Sequence, residues 1–173
     1  MNSRTAPTSK SKGKQLLHAT AIDQPAGSRA EVVALLNRQL ANIADLQSQT
    51  KQAHWNVRGA EFYQLHKLFD DLAEPLGDHI DTIAERAVTL GGFALGTVRC
   101  AANTSDLPEF PLEPGAMEYA RELAKRFALC ANSARRAIAA SDEKDDPDTA
   151  DLLTDLSRDL EKAVYFLEAH LRN

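Results

Sequence analysis

The chain has 173 residues, of which 43% are hydrophobic and 26% are charged. This length suffices to bury the core of one domain, and no apolar run approaches the roughly 20 residues of a membrane span or resembles a signal peptide. We therefore expect one globular domain in the cytoplasm. Cys100 and Cys130 are too few and too scattered for a disulfide framework, so we expect both thiols to stay reduced.

The net charge of −5 is unevenly distributed along the chain. Residues 1–22 contain four basic side chains and no acidic one, so the remaining 16 basic and 25 acidic side chains give residues 23–173 a net charge of −9. The basic residues at the N-terminus are Arg4, Lys10, Lys12 and Lys14. Because residues 1–27 have few apolar groups to offset the entropy of ordering, we predict a flexible basic tail there, followed by one domain over residues 28–173.

The first predicted helix begins at a capping-box pattern formed by Ser28 and Glu31. Apolar residues at helical spacing continue this helix to about Val57. The second predicted helix starts at Phe62 and ends at the glycine pair of residues 91–92.

The rest of the pattern predicts the fold class. Pro75 lies inside the second helix and removes one backbone hydrogen bond, so we expect a bend near residues 71–75 rather than a break. Residues 93–114 form a long connection with room for one short helix, a third long helix covers about residues 116–140, and the last follows an acidic loop at residues 142–148. Four long helices with a long crossover between the second and third predict an all-α, ferritin-like four-helix bundle.

Five potential metal ligands stand at helical spacings, namely His54, His66, Asp70, Asp81 and Glu85. The second and third are four residues apart, as are the fourth and fifth, so each pair lies on one helix face. The two pairs share a stripe but are about 16 Å apart along the axis. Metal–ligand bonds are only about 2 Å long, so one helix cannot bring both pairs to one ion. The spacing therefore predicts a two-fold dimer with two equivalent sites between subunits.

Simpler interpretations stay open at this point. A single helical histidine is more often a surface or capping residue, and two acids four residues apart more often form a solvated face. His79 points about 160° away from Asp81 and is predicted not to bind metal, whereas Glu74 shares the stripe but fits a solvated carboxylate better. Arg86 and Asp159 are predicted to form a salt bridge across a subunit contact, the alternative being ordinary surface charges.

A long motif surrounds the candidate ligands. Its residues are Lys51-Gln52-Ala53-His54-Trp55-Asn56, Arg58-Gly59, Phe62, His66, Asp70, Asp81-Thr82-Ile83-Ala84-Glu85-Arg86, Leu90-Gly91-Gly92, Ala94-Leu95-Gly96-Thr97 and Asp148-Thr149-Ala150-Asp151. This motif resembles the signature of Dps, the DNA-protection-during-starvation mini-ferritins of bacteria. The resemblance covers about residues 30–173.

The resemblance implies a hollow shell of twelve identical subunits with a ferroxidase centre at each dimer interface. His54, His66 and Asp70 would come from one subunit, and Asp81 and Glu85 from its neighbour. Iron(II) would be oxidised there, with hydrogen peroxide as the preferred oxidant in most members, and the ferric product would be stored as mineral in the cavity. Imidazole with carboxylate also suits zinc, which could substitute for iron.

Further roles follow from the same resemblance. Trp55 resembles a family tryptophan near the centre, although a core aromatic is also possible. The acidic loop resembles the lining of three-fold pores that attract Fe²⁺, with candidates Asp145, Asp146, Asp148 and Asp151. Twelve copies of the basic tail could bind double-stranded DNA without sequence specificity and place the protein at the nucleoid, unless the tail only aids solubility.

Two functions from different classes fit these observations. The first is an iron-storing ferroxidase that also protects DNA. The alternative is an architectural nucleoid protein with a structural zinc site and no significant ferroxidase activity. A di-iron oxygenase is disfavoured because the chain has no Glu-x-x-His motif, the pattern with which one bundle supplies all ligands.

Overall fold

The structure is a computed structural model that describes residues 17–112 and 115–172 of the chain. Five helices make up most of this described part. They are α1 (Ala26–Asn56), α2 (Phe62–Thr89), α3 (Val98–Thr104), α4 (Ala116–Asp142) and α5 (Pro147–Leu171). No described residue lies in a β-strand, and no helix in these ranges is long and apolar enough to cross a membrane. The all-α prediction is confirmed. The basic tail residues Arg4, Lys10, Lys12 and Lys14 lie outside the described ranges.

The four long helices pack as two hairpins, α1 with α2 and α4 with α5. Contacts of α1 with α4 and of α2 with α5 close the bundle, and the short helix α3 lies on α1 within the long crossover. The predicted bundle and its crossover helix are thereby confirmed. Phe69 and Phe127, each at most 1% exposed, are among the largest side chains at the centre of this single core.

The start of α1 differs from the prediction. Pro25 occupies the N-cap position and no side chain caps the helix, so the capping box proposed for Ser28 and Glu31 is wrong. Ser28 lies inside α1, and Glu31 forms an ion pair with Lys144 instead. The fixed φ of Pro25, −54°, presets the helix entry without a side-chain cap.

Residues 17–25 lie against the bundle rather than in a flexible tail. Leu17 packs against the core, and the His18 N–H donates to the Gly91 carbonyl at 2.7 Å. The Arg29 guanidinium donates to the Leu90 carbonyl at 2.8 Å and to the carbonyl of residue 24 at 3.1 Å. The prediction of flexibility over residues 1–27 is therefore wrong for residues 17–25.

Helix α2 carries four of the five candidate ligands and is uninterrupted although Pro75 lies inside it. Leu72 and Leu76 are buried on either side of the proline and hold this stretch on the core. The helix ends where Gly91 adopts a positive φ of +84°, with its N–H donating to the Val88 carbonyl at 2.8 Å. The expected absence of a break and the glycine stop are confirmed.

Candidate metal centre

The turn between α1 and α2 brings His54 and His66 into ring contact. Their ring centroids are 3.8 Å apart and the planes are inclined by 20°. The Nδ1 atom of His54 lies 2.8 Å from the His66 carbonyl oxygen, and the Nδ1 atom of His66 lies 2.9 Å from the His54 carbonyl oxygen. A carbonyl oxygen only accepts hydrogen bonds, so each Nδ1 carries a proton. With the proton on Nδ1, the neutral form of each ring has its lone pair on Nε2, the atom through which it could bind a metal.

Asp70 stands next to this pair, one turn after His66 on α2. Its Oδ1 atom lies 3.9 Å from His54 Nδ1 and 2.6 Å from Lys51 Nζ. The hydrogen bond from Lys51 is the largest cause that lowers the pKa of Asp70, and the charges of Lys51 and Lys67 lower it further against a smaller opposing effect of burial. Asp70 is therefore a carboxylate at neutral pH, with a cation already in contact.

Lys51 is a site residue that the reasoning from single residues missed. It lies three residues before His54 and hence on the same face of α1. That spacing was the available signal, but a lysine is not a metal ligand in its charged form and drew no attention. Its ammonium group contacts Oδ1 of the Asp70 carboxylate, so the candidate ligand already has a cationic partner.

Asp81 and Glu85 lie further along α2, exposed to solvent and apart from the first three candidates. Within residues 17–112 and 115–172, no group of three or more His, Cys, Asp or Glu side chains is arranged to hold a metal ion. Glu85 borders an open depression of about 380 Å³ that also touches Val88 and Ala94. One chain thus presents two partial ligand sets, as the spacing predicts.

Large apolar side chains flank both partial sets. Trp55, Phe62 and Tyr63 are 69%, 43% and 76% exposed near the histidines, and Val88 and Leu95 are 55% and 51% exposed near Glu85. The exposure of Trp55 shows that it is not a core aromatic of this chain. Exposed apolar clusters of this kind mark contact surfaces.

The salt bridge expected between Arg86 and Asp159 across a subunit contact stays a prediction, and both side chains have partners within their own chain. Arg86 Nη2 lies 2.6 Å from Asp146, and its Nε donates to the Thr149 hydroxyl oxygen at 2.9 Å. Asp159 instead lies 2.9 Å from His79 Nε2. Within the chain, the end of α2 meets the start of α5, which brings Arg86 to these partners, while residue 159 lies about three turns further along α5.

The acidic turn between α4 and α5 separates into two kinds of residue. Asp145, Asp148 and Asp151 are exposed, whereas Asp146 is only 2% exposed and caps α5. Burial raises the pKa of Asp146, but hydrogen bonds from the N–H and hydroxyl of Thr149 and from an arginine outweigh it and lower the pKa overall. The Asp146 carboxylate is therefore fully engaged within the chain and does not face solvent ions.

Comparisons with known proteins identify the family. A model of the ferritin family, described as the ferritin-like domain, matches residues 33–173. The chain is 43% identical over 156 residues to the DNA protection during starvation protein of Agrobacterium fabrum, covering 90% of this chain and 96% of that protein. The chain belongs to the Dps family of ferritin-like proteins. The family resemblance of the sequence motif is confirmed.

Solved Dps structures share the fold over nearly the whole chain. DpsC from Streptomyces coelicolor superposes with a TM-score of 0.87 at 32% identity, covering 91% of this chain and 92% of that chain. The Dps protein from Vibrio cholerae O1, described as a member of a broad superfamily of ferritin-like diiron-carboxylate proteins, gives a TM-score of 0.83 at 26% identity, with coverages of 90% and 99%.

Proposed function

We propose that this Dps protein oxidises Fe(II) at centres shared between two subunits, stores the ferric product inside a shell of twelve subunits, and protects DNA that its basic tail binds. The observation that carries the proposal is the pair formed by His54 and His66. Each ring is held by its Nδ1–H on the other residue's carbonyl, which leaves both Nε2 atoms free to bind a metal, and the Asp70 carboxylate lies 3.9 Å from His54 Nδ1. Metal-binding histidines in proteins are oriented in this way.

The donor set fits Fe(II) as a substrate. Two imidazole nitrogens and a carboxylate suit a borderline divalent ion such as iron, and zinc can use the same donors. Asp81 and Glu85 of a second subunit would supply the remaining oxygens. The exposed apolar side chains around both partial sets support such a contact between subunits.

In this proposal the residues bind iron and compensate the charge that it gains on oxidation. His54 and His66 bind through Nε2 without releasing a proton, and Asp70 exchanges the Lys51 ammonium for iron. Two Fe(II) ions would each give up one electron, and these two electrons with two protons from solvent would reduce one hydrogen peroxide to two water molecules, so no hydroxyl radical is released. Carboxylates from the neighbouring subunit would offset the charge gained on oxidation.

A mixing experiment tests the shared centre directly. The single variants His54→Ala and Asp81→Ala should each lose Fe(II)-dependent peroxide consumption. Dissociating them, mixing them in equal amounts and reassembling them should restore about a quarter of the wild-type sites, because half of the dimers are mixed and each mixed dimer has one intact site. If every ligand came from one chain, mixing would restore nothing, and a double variant that retained activity would reject the site.

Native mass measurement tests the shell, and the same peroxide assay separates the two candidate functions. A protein that binds DNA and zinc but consumes no peroxide with Fe(II) would be an architectural nucleoid protein.

For iron entry, the proposal places exposed Asp145, Asp148 and Asp151 at the pores. Their replacement by Asn should slow Fe(II) uptake into the cavity while leaving the centres intact.

The DNA-binding part of the proposal depends on the tail. Its four basic residues give +4 against the −9 of the rest of the chain, so an electrostatic contact through repeated tails is the favoured mode. Deleting residues 1–14 removes all four charges and leaves the docked segment from Leu17 onward. DNA retardation should disappear while iron oxidation persists, and loss of both activities or of neither would contradict this division.

A further inference from the structure

The aromatic ring of Phe62 lies against one of the two candidate histidine ligands. Its centroid is 5.0 Å from that of His66, and the two planes are inclined by 30°. Phe62 and His66 are four residues apart on α2 and therefore share one face of the helix. Since His66 also contacts His54, three rings touch in succession with His66 as the link. Within residues 17–112 and 115–172 Phe62 has no ring contact with His54, so it acts on the histidine pair through His66.

The turn before α2 holds Phe62 in this place. Phe62 is the first residue of α2, and its backbone N–H donates to the Gly59 carbonyl at 3.1 Å. Gly59 adopts a φ of +111°, a conformation that glycine reaches without strain. The same turn brings His54 beside His66, so the backbone that forms the histidine pair also sets the ring of Phe62 against it.

The hydrogen bond of the His66 ring leaves one motion to be restricted by packing. The Nδ1 atom donates to the His54 carbonyl at 2.9 Å, and a ring held by a single hydrogen bond can still tilt about it. The rings of His54 and Phe62 both contact the imidazole and oppose that tilt. A metal ligand has to be held within about 0.5 Å and about 10–20° of its productive geometry, so these contacts determine where the Nε2 atom points.

The Phe62 ring also distinguishes the metal-loaded imidazole from the empty one. When Nε2 binds a metal cation, the imidazole ring loses electron density and becomes more positive. The face of a phenylalanine ring is negative and attracts a positive partner within about 6 Å, and the centroid distance of 5.0 Å lies inside that range. The contact is therefore stronger when metal is bound, and this difference raises the metal affinity.

We propose that Phe62 is a positioning residue of the metal centre, which orients the His66 imidazole and stabilises it when it binds a metal ion. The role rests on the proposed function, because it requires His66 to be a ligand. Leucine at position 62 would keep apolar bulk but has no aromatic face, whereas tyrosine would keep the ring. Since Phe62 is 43% exposed, neither change opens a cavity in the core.

Anaerobic titration of the full-length protein with Co(II), followed by calorimetry and visible absorption, tests this role. Phe62→Leu should weaken Co(II) binding about two- to fivefold, as expected for an exposed cation–π contact, and should alter the absorption bands of bound Co(II), which report ligand geometry. Phe62→Tyr should keep the affinity within about twofold and keep the wild-type bands. Phe166→Leu is the matched control, since this phenylalanine is 38% exposed, contacts Tyr165 at 5.6 Å and lies on α5, which carries no candidate ligand of the centre.

Wild-type affinity and bands in Phe62→Leu, or a loss that Phe62→Tyr does not recover, would overturn the proposal. Native mass measurement checks that each variant assembles like the wild type. If Phe62→Leu does not assemble, Phe62→Met takes its place, and dissociation of both would overturn the proposal by showing that Phe62 acts in assembly.

The variant His54→Ala separates this inference from the proposed function. If His54→Ala leaves Co(II) binding intact, the metal centre itself is rejected. If His54→Ala abolishes binding while Phe62→Leu behaves like Phe166→Leu, only the role of Phe62 is rejected.

Discussion

Replacing Lys51 by Met tests whether this lysine competes with the substrate metal. Lys51 Nζ lies 2.6 Å from Asp70 Oδ1, and the two side chains are 35% and 48% exposed. A partly exposed ion pair of this kind contributes about 0.2–1 kcal/mol, and an incoming metal ion has to displace it. Lys51→Met removes the pair but keeps the aliphatic stem, so metal affinity should rise by about 1.5- to 5-fold.

The assay is anaerobic calorimetry with Fe(II) and, separately, with Zn(II). Lys125→Met is the matched control, because Lys125 pairs with Glu122 at 2.6 Å on α4 and neither residue is a candidate ligand. Since Lys51 is the main cause of the lowered pKa of Asp70, the acidic limit of metal binding should also move to higher pH in Lys51→Met. Unchanged or weaker metal affinity would refute the reasoning and show that Lys51 positions Asp70 instead.

Three further predictions concern stability and reactivity. Asp146→Asn should lower the free energy of unfolding by about 1–3 kcal/mol at pH 7, because a mostly buried arginine loses its charged partner. Since the native pKa of Asp146 is lowered, this contribution is present above about pH 4 and fades as the pH falls further, so urea denaturation of variant and wild type should converge in acid. Gly92→Ala would place a Cβ 2.3 Å from Val33 Cγ1 and should cost about 1–3 kcal/mol in thermal denaturation, whereas Gly27→Ala, which meets nothing within 4 Å, should not destabilise the fold. Burial raises the pKa of Cys130 to about 12, so at pH 8 the native chain should expose at most one thiol to Ellman's reagent, and both should react after unfolding.

The helix boundaries show where sequence reasoning works well. The predicted helix over residues 116–140 is observed as Ala116–Asp142, and the glycine stop of α2 lies where it was expected. These features depend on neighbours within a few residues, namely apolar spacing and backbone freedom. The predicted tail boundary is wrong because residues 17–25 are held by the carbonyl of Gly91, which comes close only after folding, and by the nearby Arg29.

The site shows the same division. The sequence spacing alone predicted that Asp81 and Glu85 lie apart from the earlier ligand candidates of α2, because a helix fixes the distances between its own residues. It did not predict that Arg86 pairs with Asp146 within the chain, because that pairing depends on where two helices meet.

The sequence by itself determined four long helices, a long crossover, the spacing of the candidate metal ligands and the Dps motif, because each is a pattern along the amino-acid sequence. Only the tertiary structure decided the tautomers of His54 and His66, the cation beside Asp70 and the capping role of Asp146. Those properties arise from hydrogen bonds and ion pairs, whose partners have to lie within about 3 Å of each other. Packing sets that distance, because the separation of two residues in the sequence does not determine how close they lie on different helices.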